Sequence, residues 1–137
     1  MRSIFIHICG ATKRDVEDFL SKEFPGQSRP WVYPAPPSDN SLYIDFTELE
    51  PEELTEMDTI PGNMPDISLV AEVSGRHSGV AETLHLVRTC LNKFTGVAQD
   101  EYTNHAWTLQ EIQTGYRHLG HGFFDYLGWF EETKWKK

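Results

Sequence analysis

A chain of 137 residues with 21 acidic side chains against 12 Lys and Arg, a formal net charge of -9, is a poor partner for nucleic acid, whose affinity for proteins comes from clustered bases. With 39% apolar and 12% aromatic residues it can build one core, which excludes a disordered acidic tail and predicts a single domain over 1–137. No run approaches the roughly 20 apolar residues that span a bilayer, no small-residue cleavage site follows the first apolar stretch, and two cysteines suit a reducing compartment, so a soluble cytoplasmic protein is expected.

Ile4, Ile6 and Ile8 alternate with Phe5, His7 and Cys9, the period-2 pattern of a first strand. Thr12 with Asp15 resembles a capping box, and Val16, Phe19, Leu20 and Phe24 recur at helical spacing until Pro25-Gly26, which predicts a helix from about Lys13 to Phe24. Residues 25–41 hold five of the eight prolines with Trp31 and Tyr33 among them, and read as an irregular, extended loop. Leu42, Ile44 and Phe46 alternate with Tyr43 and Asp45 as a short strand. Pro51 followed by Glu52 and Glu53 suits the first turn of a short helix that ends before Pro61-Gly62.

A strand is expected from Ile67 to Ser74, with Ile67, Leu69, Ala71 and Val73 on one face. Val80, Leu84, Val87, Leu91 and Phe94 make an amphipathic helix, for which Gly96 reads as the C-terminal cap. A last strand begins near Val97. Thr108-Leu109-Gln110-Glu111 is a capping box that should open a helix ending near Gly115, and the aromatic tail from Phe123 reads as a terminal helix docked on the core or the open sheet face. The order strand, helix, strand, strand, helix, strand predicts an α+β ferredoxin-like sandwich: a four-stranded antiparallel sheet with helices on one face and an extra C-terminal helical segment.

Between Arg29 and Arg76 the chain has no Lys or Arg, while Asp39, Asp45, Glu48, Glu50, Glu52, Glu53, Glu56, Asp58, Asp66 and Glu72 supply ten carboxylates. A field of that kind steers a basic partner, and Trp31 and Tyr33 just upstream could anchor it as interfacial aromatics. Asp100, Tyr102, His105 and Trp107 form a polar-aromatic cluster after the last strand that is a second candidate contact, with Glu101 beside them. The alternative for this cluster is structural, with Trp107 anchoring the helix start.

Motifs for chemistry are weak. The alternation places His7 with Asp45 and Glu72 on the helix-free sheet face, which suits a metal or acid/base site but lacks close ligand spacing. His118 and His121 lack the Glu of HExxH, residues 74–79 lack the Walker Lys, and no GxSxG is present. No catalytic residue, metal or cofactor is expected.

The segment from Phe94 through Trp129, with Gly96-Val97-Ala98-Gln99-Asp100-Glu101-Tyr102, His105, Trp107-Thr108-Leu109-Gln110-Glu111-Ile112 and Phe123-Phe124-Asp125-Tyr126, resembles a group of small bacterial proteins associated with immunity proteins of polymorphic toxin systems. It covers about a quarter of the chain and carries over no catalytic residue. The resemblance implies a bacterial, cytoplasmic, non-enzymatic inhibitor that occludes a cognate toxin. A small metal- or ligand-binding domain or enzyme on the sheet face, and a homodimer paired through that face, are the alternatives.

Overall fold

The computed structural model describes residues 2–24, 31–33, 42–47, 67–73, 80–100, 105–117 and 120–125. Among them the order is β1 (Arg2–Cys9), α1 (Lys13–Glu23), β2 (Trp31–Tyr33), β3 (Leu42–Thr47), β4 (Ile67–Val73), α2 (Val80–Lys93), β5 (Thr95–Asp100) and α3 (Leu109–Thr114). The fold is α+β, with one sheet in the order β2-β3-β4-β1-β5 and every neighbouring pair antiparallel. The sheet has five strands where four were expected. Trp31–Tyr33, expected in an irregular loop, pairs with β3 through Trp31↔Ile44 and Tyr33↔Leu42. Three residues are too few for a period-2 pattern to declare itself, and the pairing supplies the order that local sequence does not.

Register decides what each face holds. Ile4, Ile6 and Ile8 stand opposite Ala71, Leu69 and Ile67 on β4, and Ala71 and Leu69 stand opposite Ile44 and Phe46 on β3. Directly opposed residues share a face, so these side chains form one apolar surface. The buried stripes of α1 (Val16, Leu20) and α2 (Leu86, Val87, Cys90, Leu91) join it in one core. Deleting one such side chain to Ala costs roughly 2–5 kcal/mol.

The helix ends follow their sequence signals. Thr12 and Asp15 form a reciprocal capping box on α1, as Thr108 and Glu111 do on α3, and Gly115 closes α3 in the left-handed region at φ 77°. Gly96 is a correction: it lies inside β5 opposite Ile8 and is not the cap of α2. A Cβ there would clash with the His7 carbonyl oxygen, so close approach of β1 and β5 requires the glycine. The expected terminal helix is corrected at its start, since Phe123 and Phe124 form a turn. Residues 126–137, like the short acidic helix after Pro51, lie outside the described residues.

Candidate functional site

Thr47 at the end of β3 pairs with Ser68 at the start of β4. The 19 residues between the two strands, 48–66, therefore leave and return at one end of the sheet, and they carry seven carboxylates and no base. Adjacent antiparallel strands need a connection of only about 2–5 residues. Topology alone does not require this length, and long connections in compact domains are commonly functional. Glu48, Glu50, Glu52, Glu53, Glu56 and Asp58 all belong to this segment and lie outside the described residues.

The helices carry no comparable field. On α1 the exposed Lys13, Arg14 and Lys22 interleave with Asp15, Glu17, Asp18 and Glu23, and Arg14 approaches Asp18 at 3.9 Å. Lys13 extends its ammonium over the Phe46 ring, 5.1 Å from the centroid, close to where the acidic connection departs from β3.

The aromatics expected to anchor a partner are placed differently. Trp31 is fully buried: its ring packs edge-on to Phe46 at 5.8 Å, and its indole N–H donates to the Ser21 hydroxyl on α1 at 3.3 Å. It ties the edge strand to a helix and is no exposed anchor. Tyr33 is half-buried, stacked on His85 of α2 at 5.1 Å and tilted against Phe24. Among the described residues Tyr43 and Tyr116 are the large apolar side chains left exposed, at 46% and 44%. Tyr43 lies on the opposite sheet face from Trp31, and neither tyrosine was singled out as an anchor by sequence.

The cluster after β5 divides into parts. Asp100 is only 2% exposed and stands opposite Ile4, on the face that holds the core, where its Oδ2 accepts the main-chain N–H of Phe124 at 2.8 Å. Trp107 is 1% exposed and joins β5 through an isolated bridge with Ala98, with mutual backbone bonds of 2.8 and 2.7 Å. Both residues are structural in this geometry: for Trp107 this is the alternative reading given above, and for Asp100 it departs from the contact role expected. His105 stays half-buried: its Nε2 lies 3.2 Å from each Glu111 carboxylate oxygen, while its ring sits edge-on to Trp107 and stacked beside Tyr116. The same Glu111 carboxylate accepts the Thr108 N–H, so one side chain serves both the helix cap and the imidazole. Glu111 and Tyr116 are the members of this group that sequence reading missed, because no spacing rule links a histidine to a later capping residue. Tyr102 lies outside the described residues.

On the sheet face opposite the core, the expected sharing of one surface holds: Phe5 stands opposite Val70, Tyr43 opposite Glu72 and Asp45 opposite Val70. The three ionisable groups are not gathered on each other, however. His7 is fully buried, with Nδ1 2.9 Å from the Ser68 hydroxyl and Nε2 3.3 Å from Gln99 Oε1. Burial lowers its pKa below the ordinary 6.5, against a smaller upward pull from Gln99. Asp45 turns one oxygen to the Phe46 N–H at 2.7 Å. Ser68 and Gln99, which hold the imidazole, were not among the residues that sequence reading named.

Among the described residues, groups suited to covalent or metal chemistry are scarce. No cluster of three or more His, Cys, Asp or Glu able to hold a metal occurs among the described residues. Burial, with Glu23 adding to it, pushes the Cys90 thiol up to about 12, which removes its nucleophilicity. His121 pairs with Asp125 at 3.4 Å, and His118 lies outside the described residues. A shallow groove of about 480 Å³ lies between α1 and the end of α2, over Phe19 and Phe94. Its other lining residues, Asp15, Asp18, Lys22, Glu23 and Lys93, are all charged. Among the described residues no helix is long and apolar enough to cross a membrane. Comparison with protein-family models, curated proteins and solved structures finds no match.

Proposed function

We propose that the chain is a non-enzymatic acidic binding protein, an immunity-type inhibitor that occludes a basic toxin or another basic protein. The observation that carries this reading is the base-free segment 48–66, a 19-residue connection with seven carboxylates between strands that pair side by side. Two roles follow from the physics. The carboxylates imitate the phosphate charge to which a nucleic-acid-directed partner is adapted, and the opposed fields accelerate encounter. The scaffold in this reading is a ferredoxin-like sandwich: β1, β3, β4 and β5 lie in the order β3-β4-β1-β5, with β2 appended at the outer edge of β3.

The burial of Trp31 shifts the contact proposed for the hydrophobic anchor. Among the described residues it leaves half-buried Tyr33 and half-buried His105 as the expected aromatic and polar contacts that remain accessible, with the carboxylates supplying the steering. The ligand-site alternative loses support, because His7 is enclosed and its two ring nitrogens face Ser68 and Gln99.

The test is a low-salt pull-down from the native host, released by a salt step and identified by mass spectrometry. A single basic protein released by salt is the expected result, and reversal of Glu52, Glu53 and Glu56 to Lys should then slow its association. Capture that is insensitive to both salt and charge reversal would overturn the acidic-segment reading.

A further inference from the structure

His7 lies in β1, an inner strand flanked by β4 and β5, and the polar chain through it crosses three strands: Ser68 on β4, His7 on β1, Gln99 on β5. Gln99 presents its amide oxygen, which only accepts, so Nε2 carries the ring hydrogen. Nδ1 is then bare and accepts the Ser68 hydroxyl hydrogen. Both contacts are satisfied by one species, the neutral Nε2–H tautomer. The flanking groups are apolar: Val97, directly opposite on β5, is 1% exposed, and the Phe5 ring lies nearly parallel to the imidazole with centroids 6.3 Å apart.

We propose that this three-strand chain is an acid-responsive element, in which proton uptake by His7 reverses the Ser68 contact and loosens the packing of β5 and β4 on β1. A second ring N–H has only the Ser68 oxygen to donate to, so the hydroxyl must turn and give up its own donation. The new charge also lies away from water, where an ion is costly without a counter-charge. Among the described residues the titratable groups on the same face are Cys9 on β1, Glu72 on β4, and Asp45 and Tyr43 on β3; β5 contributes none. None of them bonds to His7, whose ring nitrogens face Ser68 and Gln99. Glu72 stands opposite Ser3 and Asp45 is two strands away from β1, so neither supplies a contact ion pair to a cationic ring.

The sign of the effect follows from the lowered folded-state pKa. Below pH 6.5 the unfolded chain holds the His7 proton and the native chain resists it, so stability is lost as the pH falls from 6.5 toward the folded value. Within that window the folded-to-unfolded ratio falls about tenfold per pH unit on account of this one group.

The experiment is urea unfolding of the full chain from about pH 8 to about pH 5, for the wild type and for His7→Gln, which keeps a donor and an acceptor but does not titrate. The wild type should lose stability more steeply by about that tenfold-per-unit slope. Parallel curves for the two proteins would overturn the proposal. Should His7→Gln fail to fold, the imidazole carbon and nitrogen shifts of the wild type decide. His7 should keep the neutral Nε2–H signature in the folded protein below pH 6.5. An imidazole that titrates at or above that value while the sheet stays intact would overturn the proposal.

Discussion

The main-chain N–H of Phe124 donates to the carboxylate of Asp100 at 2.8 Å, across 24 residues of sequence, and both residues are buried. Phe124 is also the non-glycine residue found at positive φ, 56°, among those described. A bulky side chain in that region costs of order 1–3 kcal/mol unless its surroundings over-determine it. Here the Asp100 bond and the packing of the ring in the core do so. Removing the acceptor leaves a buried N–H unsatisfied, so Asp100→Ala should destabilise the fold by about 1–3 kcal/mol. Asp100→Asn, which retains an acceptor, should cost less. Urea midpoints of the three proteins check the order, and equal losses for Ala and Asn would refute this role.

Gly96→Ala places a methyl group against the His7 carbonyl, where backbone and not a flexible side chain must move. The variant should lose at least the 1–3 kcal/mol typical of overpacking. The damage should appear between β1 and β5 first, as faster amide exchange at Val97 and Gln99. Near-neutral behaviour would mean that the two strands are farther apart in solution.

Thr83 is wholly buried on the inward side of α2, and its hydroxyl has no hydrogen-bond partner. Thr83→Val replaces that hydroxyl with a methyl of similar size and removes an uncompensated buried dipole. The variant should be neutral or more stable, by up to about 1–2 kcal/mol. A thermal melt that falls instead would show that the hydroxyl is satisfied in solution.

Asp15 closes the α1 capping box, and the Thr12 backbone and hydroxyl bonds hold its pKa below the ordinary carboxylate value. A lowered folded-state pKa contributes stability above the unfolded value of 3.8 that disappears as the pH falls through the folded one. Asp15→Asn should therefore melt below the wild type at neutral pH and converge on it in acid. The side chain is exposed, so the difference should shrink with added salt. A gap independent of pH would assign the effect to shape instead of charge.

Much of the architecture was readable because it rests on local periodicity. The Ile4, Ile6, Ile8 alternation, the α2 stripe and both capping boxes are properties of consecutive residues, and each appears where its pattern places it. What escaped is set by partners distant in sequence. Trp31 among prolines looks like a loop aromatic until β3 arrives to order it, and Gly96 looks like a helix stop until β1 comes within contact of it. Asp100 looks like part of an exposed polar cluster, but Phe124 makes it structural, whereas the buried place of Trp107 beside Ala98 is the structural alternative its cluster already allowed. For the sheet face the alternation predicted that His7, Asp45 and Glu72 share one side, as they do. It could not show that Ser68 and Gln99 would occupy the imidazole.

The position of β1 in the sheet also governs the order in which the protein can be completed. β1 precedes both neighbours in the chain, and Ile8 finds Ile67 and Gly96 only after those residues have been made. At synthesis rates of about 5–20 residues per second, the wait for β5 is roughly 4–18 seconds. Until β4 is made a strand bearing Ile4, Ile6 and Ile8 has neither of its lateral partners, and until β5 follows it still lacks one, which leaves nascent β1 open to aggregation.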